Sequence, residues 1–336
     1  MTNPDPDPDE IVCAAGEQHG DQGREVEIME PREVPLGGPR AMSVRRTLPQ
    51  RHRSLIGAWC FVDHYGPDEV DESGGMVVTP HPHTGLQTVS WLFTGEVEHR
   101  DSAGNHAMVR PGEMNLMTAG HGISHSEIST EATRVLHGVQ LWVALPAAAR
   151  DVAPRFDHHE PDPVTGEGWV ARVFLGSLLG SIAPVPAYTP LLGAEVLLSA
   201  GTALEVDVDV TFEHGVLVDT GAVSVQGQEA KPGELAYVAP GCERLRLEAD
   251  EEDVRLLLLG GEPFGEAIVM WWNFVGRSHE EIVAYRAAWQ EQITRDGAVV
   301  DDSQDVAAGR FGVVVGDHTR PIPAPELPNA RLRQRH

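Results

Sequence analysis

The chain has few cysteines, few basic residues and no long apolar run, and each shortage excludes a class of protein. Its 336 residues include only three cysteines, Cys13, Cys60 and Cys242, so a disulfide framework is not expected. Lysine and arginine number 25 against 51 acidic residues, and the net charge of −26 disfavours direct nucleic-acid binding. Apolar runs are too short for a membrane span, and no apolar leader follows the acidic start. These absences predict a cytoplasmic, reduced protein that binds neither nucleic acid nor membrane.

Helical periodicity is also scarce, and aromatic residues make up only 6% of the chain. Gly (35) and Pro (25) are plentiful, a mix that favours many short strands joined by turns. The clearest strand-like runs are TVSWLF at 88–93 and VLHGVQLWVAL at 135–145. A polar, proline-rich stretch at 146–168 is interpreted as a linker or long connection, and a second strand-rich region covers 169–262. Length alone favours two domains.

A weak internal repeat relates the two halves. GEVEHRD and RPGEMNLMTAG in the first half resemble GAVSVQG and KPGELAYVAPG in the second, with glycines at 95 and 221 and Pro-Gly-Glu at 111–113 and 232–234. A hairpin, a turn and a strand recur in the same order. The repeat predicts two related barrels or jelly rolls in an all-β protein.

One amphipathic helix is expected near the C-terminus, over 278–295. Ser278 and Glu281 have capping-box spacing, and Gly297 can stop the helix. Apolar residues follow at helical spacing, namely Ile282, Tyr285, Trp289 and Ile293. This stripe must pack against another surface.

Two pairs of metal-binding residue types carry the functional signal. In PHPHTGLQT, His81 and His83 share one strand face, and Pro82 between them is typical of an edge strand. In GHGISHSEIS, His125 and Glu127 repeat the i, i+2 spacing. One H-x-H alone also occurs on core or exposed faces. Two pairs together favour a site in which three imidazoles and a carboxylate bind a divalent metal and leave coordination positions open.

The other histidines have alternative interpretations. Of the 16 histidines, eight lie between 64 and 137, whereas the repeat in the second half has only His214, so the metal is predicted in the first barrel alone. His64 could reach the rim of the cavity. His99 and His106 fit a hairpin and its loop, and His137 fits the start of a strand.

The chain resembles the pirin family within the cupin superfamily. The resemblance rests on HPHTGLQTV, GEVEHRDSAG, RPGEMNLMTAGHGISHSE and HGVQLWVAL, and on LLLLGGEPFGEAIVMWWNFVGRSHEEI in the second half. It implies two cupin-type barrels packed face to face, with metal only in the first. The implied ligands are His81, His83, His125 and Glu127. The implied metal is Fe(II), with Mn, Ni, Co, Cu and Zn as alternatives.

The combined signals predict four segments. Residues 1–25 form a disordered acidic tail, 26–160 the N-terminal metal-binding cupin domain, 161–275 a C-terminal cupin domain without metal, and 276–336 a helix and tail. The protein is expected to be a monomer.

The sequence departs from the family pattern HPHRGFET at three positions. Thr84, Leu86 and Gln87 replace its Arg, Phe and Glu, and His121 replaces the arginine of AGRGI. Because Glu127 supplies a carboxylate, Gln87 is interpreted as lining the cavity or supporting a ligand. His121 either lines the cavity or lies in an exposed turn.

The resemblance implies two alternative functions. The first is a metal-dependent dioxygenase of the quercetin 2,3-dioxygenase type that opens a flavonol or similar aromatic substrate, with Glu127 also accepting the hydroxyl proton. Leu86, Met114 and Met117 would suit a flat ligand, or they pack the core. The second is a non-catalytic redox- or metal-sensing regulator that binds a protein partner. A cavity wide enough for an aromatic ligand favours the enzyme, and a closed site favours the regulator.

Overall fold

The computed structural model describes residues 11–13, 26–36 and 42–332. In these ranges the chain forms two barrels, each made of a seven-stranded and a four-stranded antiparallel sheet. A helix-containing extension follows the second barrel. The predicted all-β fold with one substantial C-terminal helix is confirmed.

Most elements of the fold are short strands. The strands up to the end of the first barrel are β1 (Ile11–Cys13), β2 (Glu27–Met29), β3 (Arg32–Leu36), β4 (Met42–Leu48), β5 (Trp59–Glu69), β6 (Val77–His83), β7 (Leu86–Thr94), β8 (Val97–Asp101), β9 (His106–Val109), β10 (Met114–Thr118), β11 (Ile123–Ser129), β12 (Val135–Ala144) and β13 (Arg155–His159). The remaining strands are β14 (Val164–Gly166), β15 (Trp169–Leu175), β16 (Ser177–Leu178), β17 (Ser181–Ile182), β18 (Leu191–Leu198), β19 (Ala203–Asp207), β20 (Glu213–Thr220), β21 (Val223–Val225), β22 (Gln228–Ala230), β23 (Leu235–Val238), β24 (Arg244–Ala249), β25 (Val254–Gly261), β26 (Ile268–Trp271), β27 (Phe274–Gly276), β28 (Thr294–Arg295) and β29 (Ala298–Val299). The helices are α1 (Val70–Ser73), α2 (His279–Ile293) and a 3-10 turn, Ser303–Asp305.

The two barrels repeat one topology. The first barrel has sheets β13-β10-β7-β12-β5-β4-β3 and β6-β11-β8-β9. The second barrel, written in the same direction, has sheets β2-β23-β20-β25-β18-β15-β14 and β19-β24-β21-β22. The repeated turns match in detail. Gly112 and Gly233 both have positive φ, and their N–H groups donate to the carbonyls of Leu92 and Val218. The repeat predicted from the sequence is therefore a structural repeat.

The barrels pack through their seven-stranded sheets. Their shared core includes Trp59, Val89 and Trp91 from the first sheet and Leu217 and Leu257 from the second. Each is at most 1% exposed, and burial of one such side chain contributes about 1.5–3 kcal/mol. The neighbouring Val216 and Val218 point the other way and fill the second barrel. Because each sheet buries both faces, its strands are apolar at consecutive positions.

Two strands near the N-terminus pair with strands outside the first barrel. β2 lies within the predicted N-terminal domain but pairs with β23 of the second barrel. Of the predicted acidic tail, only 11–13 lies among the described residues, where β1 pairs with β26 of the C-terminal extension. Residues 146–168, interpreted as a linker or long connection, do join the barrels, but they also contain β13, which pairs with β10, and β14, which pairs with β15. β13 lies between Pro154 and Pro161 and β14 directly follows Pro163, and these prolines obscured the strand pattern.

Helix α2 is built as its capping signal predicts. The Ser278 hydroxyl accepts the N–H of Glu281, whose carboxylate accepts the N–H of Arg277. Ile282, Tyr285, Trp289 and Ile293 are all buried in the core of the extension. Gly297 does not stop the helix, because it lies in the turn of the β28–β29 hairpin. The helix ends earlier, at Ile293.

The Trp289 ring should stabilise the extension strongly. It is 1% exposed, contacts the Phe311 ring edge-on, and donates to the Ile322 carbonyl at 2.8 Å. Trp289→Ala should lower the free energy of unfolding by about 3 kcal/mol or more in denaturant titrations. Glu291→Ala, on the exposed face of the same helix, should leave it nearly unchanged. Equal stability of the two variants would contradict the packing of this helix.

Candidate metal centre

Three imidazoles from two paired strands converge inside the first barrel. His81 and His83 lie on β6 and His125 on β11, where His125 pairs directly with His81. All three are 0% exposed. Their ring centroids are separated by 5.1 Å (His81–His83), 4.2 Å (His81–His125) and 5.0 Å (His83–His125). Strand alternation places them on one face, as the sequence predicts.

Each ring leaves its Nε2 atom available. The Nδ1 of His81 lies 2.9 Å from the Thr79 carbonyl and that of His83 3.1 Å from the Asn273 carbonyl, so both Nδ1 atoms donate. The Nε2 atoms of His81, His83 and His125 are buried and have no hydrogen-bond partner. Possible ligand atoms of the three rings all lie within 4.8 Å of one another. Unpartnered nitrogen lone pairs at this spacing fit a divalent metal.

A hydrogen-bonded relay supports His125. Its Nδ1 lies 3.4 Å from Nδ1 of His99, whose Nε2 lies 3.4 Å from Oδ2 of Asp101. The other carboxylate oxygen of Asp101 accepts the N–H groups of Ala103 and Asn105. Donation from His125 to His99 and from His99 to Asp101 leaves Nε2 of His125 unprotonated, as a metal ligand requires. His99 therefore belongs to the site, although the sequence indicated only a hairpin residue.

Glu127 lies two residues beyond His125 on the same strand. A bulge between them shifts the register against β6, so that Glu127 lies opposite Val78. Its carboxylate is 2% exposed and lies close to ligand atoms of His99 and His125. Ser90 Oγ is 3.2 Å from Glu127 Oε1 and 2.9 Å from Gln140 Oε1. A polar network thus holds the carboxylate inside the barrel.

Burial sets the charge of the cluster. It lowers the pKa of His81, His83 and His125 well below the ordinary value, and for His125 the two neighbouring ligand rings add to the effect. The rings are consequently neutral near pH 7. Neutral imidazoles present the lone pairs that a metal needs.

An apolar wall lines the barrel beside the histidines. Phe61 and Trp142 stack at 4.0 Å between ring centroids, and Trp142 meets the edge of His83 at 5.1 Å. Leu86 and Met117 pack in the same cluster. Met114 does not, because it faces the core between the barrels. A flat apolar surface therefore borders the site, with Met114 excluded from it.

The C-terminal extension covers this end of the barrel. The Asn273 carbonyl that receives His83 Nδ1 lies between β26 and β27, and Met270 and Val275 from these strands join the apolar wall. The Phe311 carbonyl accepts the hydroxyls of Ser102 and Ser124. Residues far apart in sequence thus complete the surroundings of the histidines.

The equivalent strand pair of the second barrel carries no such side chains. β19 and β24 take the places of β6 and β11 in the sheet order. Their inward residues are Leu204, Val206, Leu245 and Leu247, all buried in the barrel core. Aliphatic side chains at these positions offer no ligand atom.

Several predicted site residues lie elsewhere. Gln87 is on the face of β7 that points away from the histidines, and its amide donates to Thr118 Oγ1. His121 is exposed and lies beside the Val152 carbonyl, which fits the alternative of a turn. Thr84 is buried and forms a bridge to Phe274 of β27. The predicted role of His64 at the cavity rim is wrong, because it faces the second barrel.

His64 and His137 instead join the two barrels. Their Nε2 atoms both donate to Oδ1 of Asp219 on β20, at 2.7 and 2.6 Å. Arg45 lies 3.2 Å from Nε2 of His64, and Arg255 is 3.4 Å from Oδ2 of Asp219. Burial lowers the pKa of His64 despite its bond to Asp219. Burial opposes ionisation of Asp219, but its histidine partners hold the pKa well below its usual range. The two flanking arginines disfavour a cation here, so this cluster is a polar contact between domains.

Two linked barrels of this topology, with buried histidines on paired strands of one barrel, define a two-domain cupin. Family models agree: the Pirin model matches residues 41–143, and the Pirin C-terminal cupin domain matches residues 193–294. The chain belongs to the pirin family.

Relatives of known name cover most of the chain. A Pseudomonas aeruginosa protein named "Putative quercetin 2,3-dioxygenase" is 48% identical over 79% of this chain and 84% of its own length. A "Pirin-like protein" of Caulobacter vibrioides is 36% identical over 84% of this chain and 94% of its own. A crystal structure titled quercetin 2,3-dioxygenase from Acinetobacter baumannii superposes with a TM-score of 0.81 and 33% identity, covering 92% of this chain and 98% of that one.

Among the described residues, no helix has the length and apolar character needed to cross a bilayer.

The His99 relay should strengthen metal binding. His99→Leu removes the acceptor for His125 Nδ1, so the variant should lose metal to a competing chelator with an affinity about 10–100-fold weaker than wild type. His106→Leu, on the exposed side of the same hairpin, should match wild type. His83→Ala should lose most of its metal. Wild-type affinity in His99→Leu would show that the relay does not support the ligand.

The inter-barrel histidine should make stability depend on pH. Burial lowers the pKa of His64 in the folded chain. As pH falls through about 6.5, His64 therefore becomes protonated in the unfolded chain but stays neutral in the folded one. Unfolding free energy should therefore fall between about pH 7.5 and 5.5, and less so in His64→Gln, which keeps a donor for Asp219 but does not titrate. His121→Gln is the exposed control. Parallel curves for wild type and His64→Gln would refute this assignment.

Proposed function

We propose that the chain binds one Fe(II) ion through His81, His83, His125 and Glu127 and acts as a dioxygenase on a flavonol or a similar hydroxylated aromatic. The observation that carries the proposal is the set of three buried, unpartnered Nε2 atoms, two of whose rings are oriented by backbone carbonyls through Nδ1. The named relatives support the choice of substrate class.

The donor set fits a borderline divalent ion. Three neutral imidazoles and one carboxylate leave a net positive charge on a divalent metal, and four ligands leave octahedral positions open. When bound, Fe(II) would supply a Lewis acid at which a hydroxyl-ketone chelate and O2 can meet. The same ligands could also bind Mn, Ni, Co, Cu or Zn, which are the alternatives to iron.

The protein's own groups would orient and deprotonate the substrate. The stacked pair of Phe61 and Trp142 offers a flat apolar surface beside His83. In this proposal Glu127 would accept the substrate hydroxyl proton, and Ser90 donates to one of its oxygens. Burial of the surrounding groups excludes water and strengthens this interaction.

One observation favours a second candidate, a regulator that senses its metal and binds a protein partner. All four proposed ligands are at most 2% exposed, and the C-terminal extension covers their end of the barrel. An aromatic substrate therefore needs part of this cover to move. A regulator needs no such opening.

The activity distinguishes the two candidates. Iron-loaded wild type should oxygenate quercetin slowly, measured as loss of flavonol absorbance together with O2 uptake. At equal iron occupancy, Glu127→Gln should be about 100-fold slower or worse, because it lacks the base. His99→Leu is the matched control: it weakens metal binding but keeps Glu127, so at equal occupancy it should remain close to wild type. If wild type leaves a panel of flavonols and catechols untouched and binds a partner according to iron redox state, the regulator replaces the enzyme.

A further inference from the structure

Polar side chains form a row across the inner face of the seven-stranded sheet of the first barrel. Ser90 on β7 pairs with Gln140 on β12, and Gln140 pairs with Asp63 on β5. Val139 and Leu141, the neighbours of Gln140 on its strand, belong to the core between the barrels. Strand alternation therefore turns the Gln140 side chain into the first barrel. The three polar side chains of the row are at most 6% exposed, so the row lies in the barrel interior.

Gln140 lies two hydrogen bonds away from a proposed metal ligand. Its Oε1 accepts the Ser90 hydroxyl at 2.9 Å, and the same hydroxyl oxygen is 3.2 Å from Oε1 of Glu127. Glu127 belongs to β11, which is part of the opposite, four-stranded sheet. The Gln140 amide therefore lies between the two sheets, next to the carboxylate of the candidate metal centre.

The amide nitrogen of Gln140 is a donor that the protein does not use. Nε2 is buried, and it has no hydrogen-bond partner within the described part of the chain. The two oxygens of Asp63, its neighbour in register, instead accept Arg46 at 2.7 and 2.9 Å. A buried N–H group without an acceptor is destabilising, and such groups are normally paired. The amide is thus anchored to Ser90 through its oxygen while its nitrogen stays available.

A second unused donor lies two residues further along the same strand. Trp142 is 0% exposed, and its Nε1 is buried without a partner among the residues that the structure describes. Strand alternation places it on the same face as Gln140. Its ring centroid is 5.1 Å from that of His83. The indole N–H lies in the plane of the ring, so it does not compete with the stacking of Trp142 on Phe61.

The donors and the neighbouring carboxylate together complement a hydroxyl next to a carbonyl. Gln140 Nε2 and Trp142 Nε1 can only donate, so each needs an acceptor oxygen. The Glu127 carboxylate accepts. An aromatic hydroxy-ketone offers a hydroxyl to the carboxylate and a carbonyl to the donors. A catechol offers a second hydroxyl in place of the carbonyl, so it matches these groups less well.

We propose that Gln140 and Trp142 are specificity-determining residues that donate to the carbonyl end of an aromatic hydroxy-ketone at the metal centre. This inference rests on the proposed function, because the ligand must enter the same covered interior as the substrate. Gln140 supplies the donor beside Glu127, and Trp142 supplies the donor beside His83. Ser90 orients the Gln140 amide and is a positioning residue.

Two probes, 1-indanone and indane, test the proposal on metal-free protein, because they share one ring skeleton and only 1-indanone has a carbonyl. Their affinities are measured by protein NMR titration. The ratio of 1-indanone affinity to indane affinity should fall about tenfold in Gln140→Met, the worth of one good hydrogen bond. Trp142→Phe should lower the ratio in the same direction, because it keeps an aromatic ring but removes the N–H.

Gln87→Met is the matched control. Gln87 is also a buried glutamine, on the strand next to β12, but its amide donates to Thr118 on the other face of the sheet. The ratio should therefore equal that of wild type. All three variants should still bind Zn(II) at the stoichiometry of wild type, which shows that the histidine cluster is intact. Absent binding of 1-indanone to wild type, or a wild-type ratio in both Gln140→Met and Trp142→Phe, would overturn the proposal in favour of a bound water as the acceptor.

Iron-loaded protein separates this inference from the proposed function. If wild type oxygenates quercetin and Gln140→Met does so with an unchanged KM, the donor assignment is wrong and the proposed function stands. If 1-indanone binding depends on Gln140 in a protein that oxygenates no flavonol, the donor pair is supported and the proposed activity is wrong.

Discussion

Side-chain alternation along paired strands is the constraint on which the rest of this structure depends. Each seven-stranded sheet must bury two faces, one against its own barrel and one against the other barrel, as Val216 and Leu217 show on β20. The same alternation places His81, His83 and His125 together on the inner face of the first barrel. A shift of one residue on β6 would turn both of its histidines outward. The register between β6 and β11, in the four-stranded sheet, therefore fixes the geometry of the candidate metal centre.

Local patterns in the sequence predict the features that are local in structure. The two i, i+2 pairs identify the histidine cluster, and the Ser278 cap with its apolar stripe identifies α2. Features that depend on distant partners carry no such pattern. His99 becomes part of the site only because β8 pairs with β11, and the acceptor for His83 is a backbone carbonyl at residue 273. His64 binds Asp219, 155 positions along the chain. No spacing rule connects such residues.

The two barrels show how one topology is used in opposite ways. The first has a polar interior, in which Ser90, Gln140 and Glu127 form a network next to the imidazoles. The second is filled by aliphatic side chains, with Leu204, Val206, Leu245 and Leu247 at the equivalent strand pair. Aliphatic packing gives a stable platform for the interface. His214 is the exception, a buried polar residue at the end of that apolar interior.

The Asn273 carbonyl has a consequence for how the protein is made. During synthesis the first barrel leaves the ribosome well before residue 273, and β2 lacks its partner strand until β23 follows. Until then His83 cannot donate to its acceptor, and either of its ring nitrogens can carry the proton. The surroundings of the imidazoles are therefore complete only once the C-terminal extension is in place.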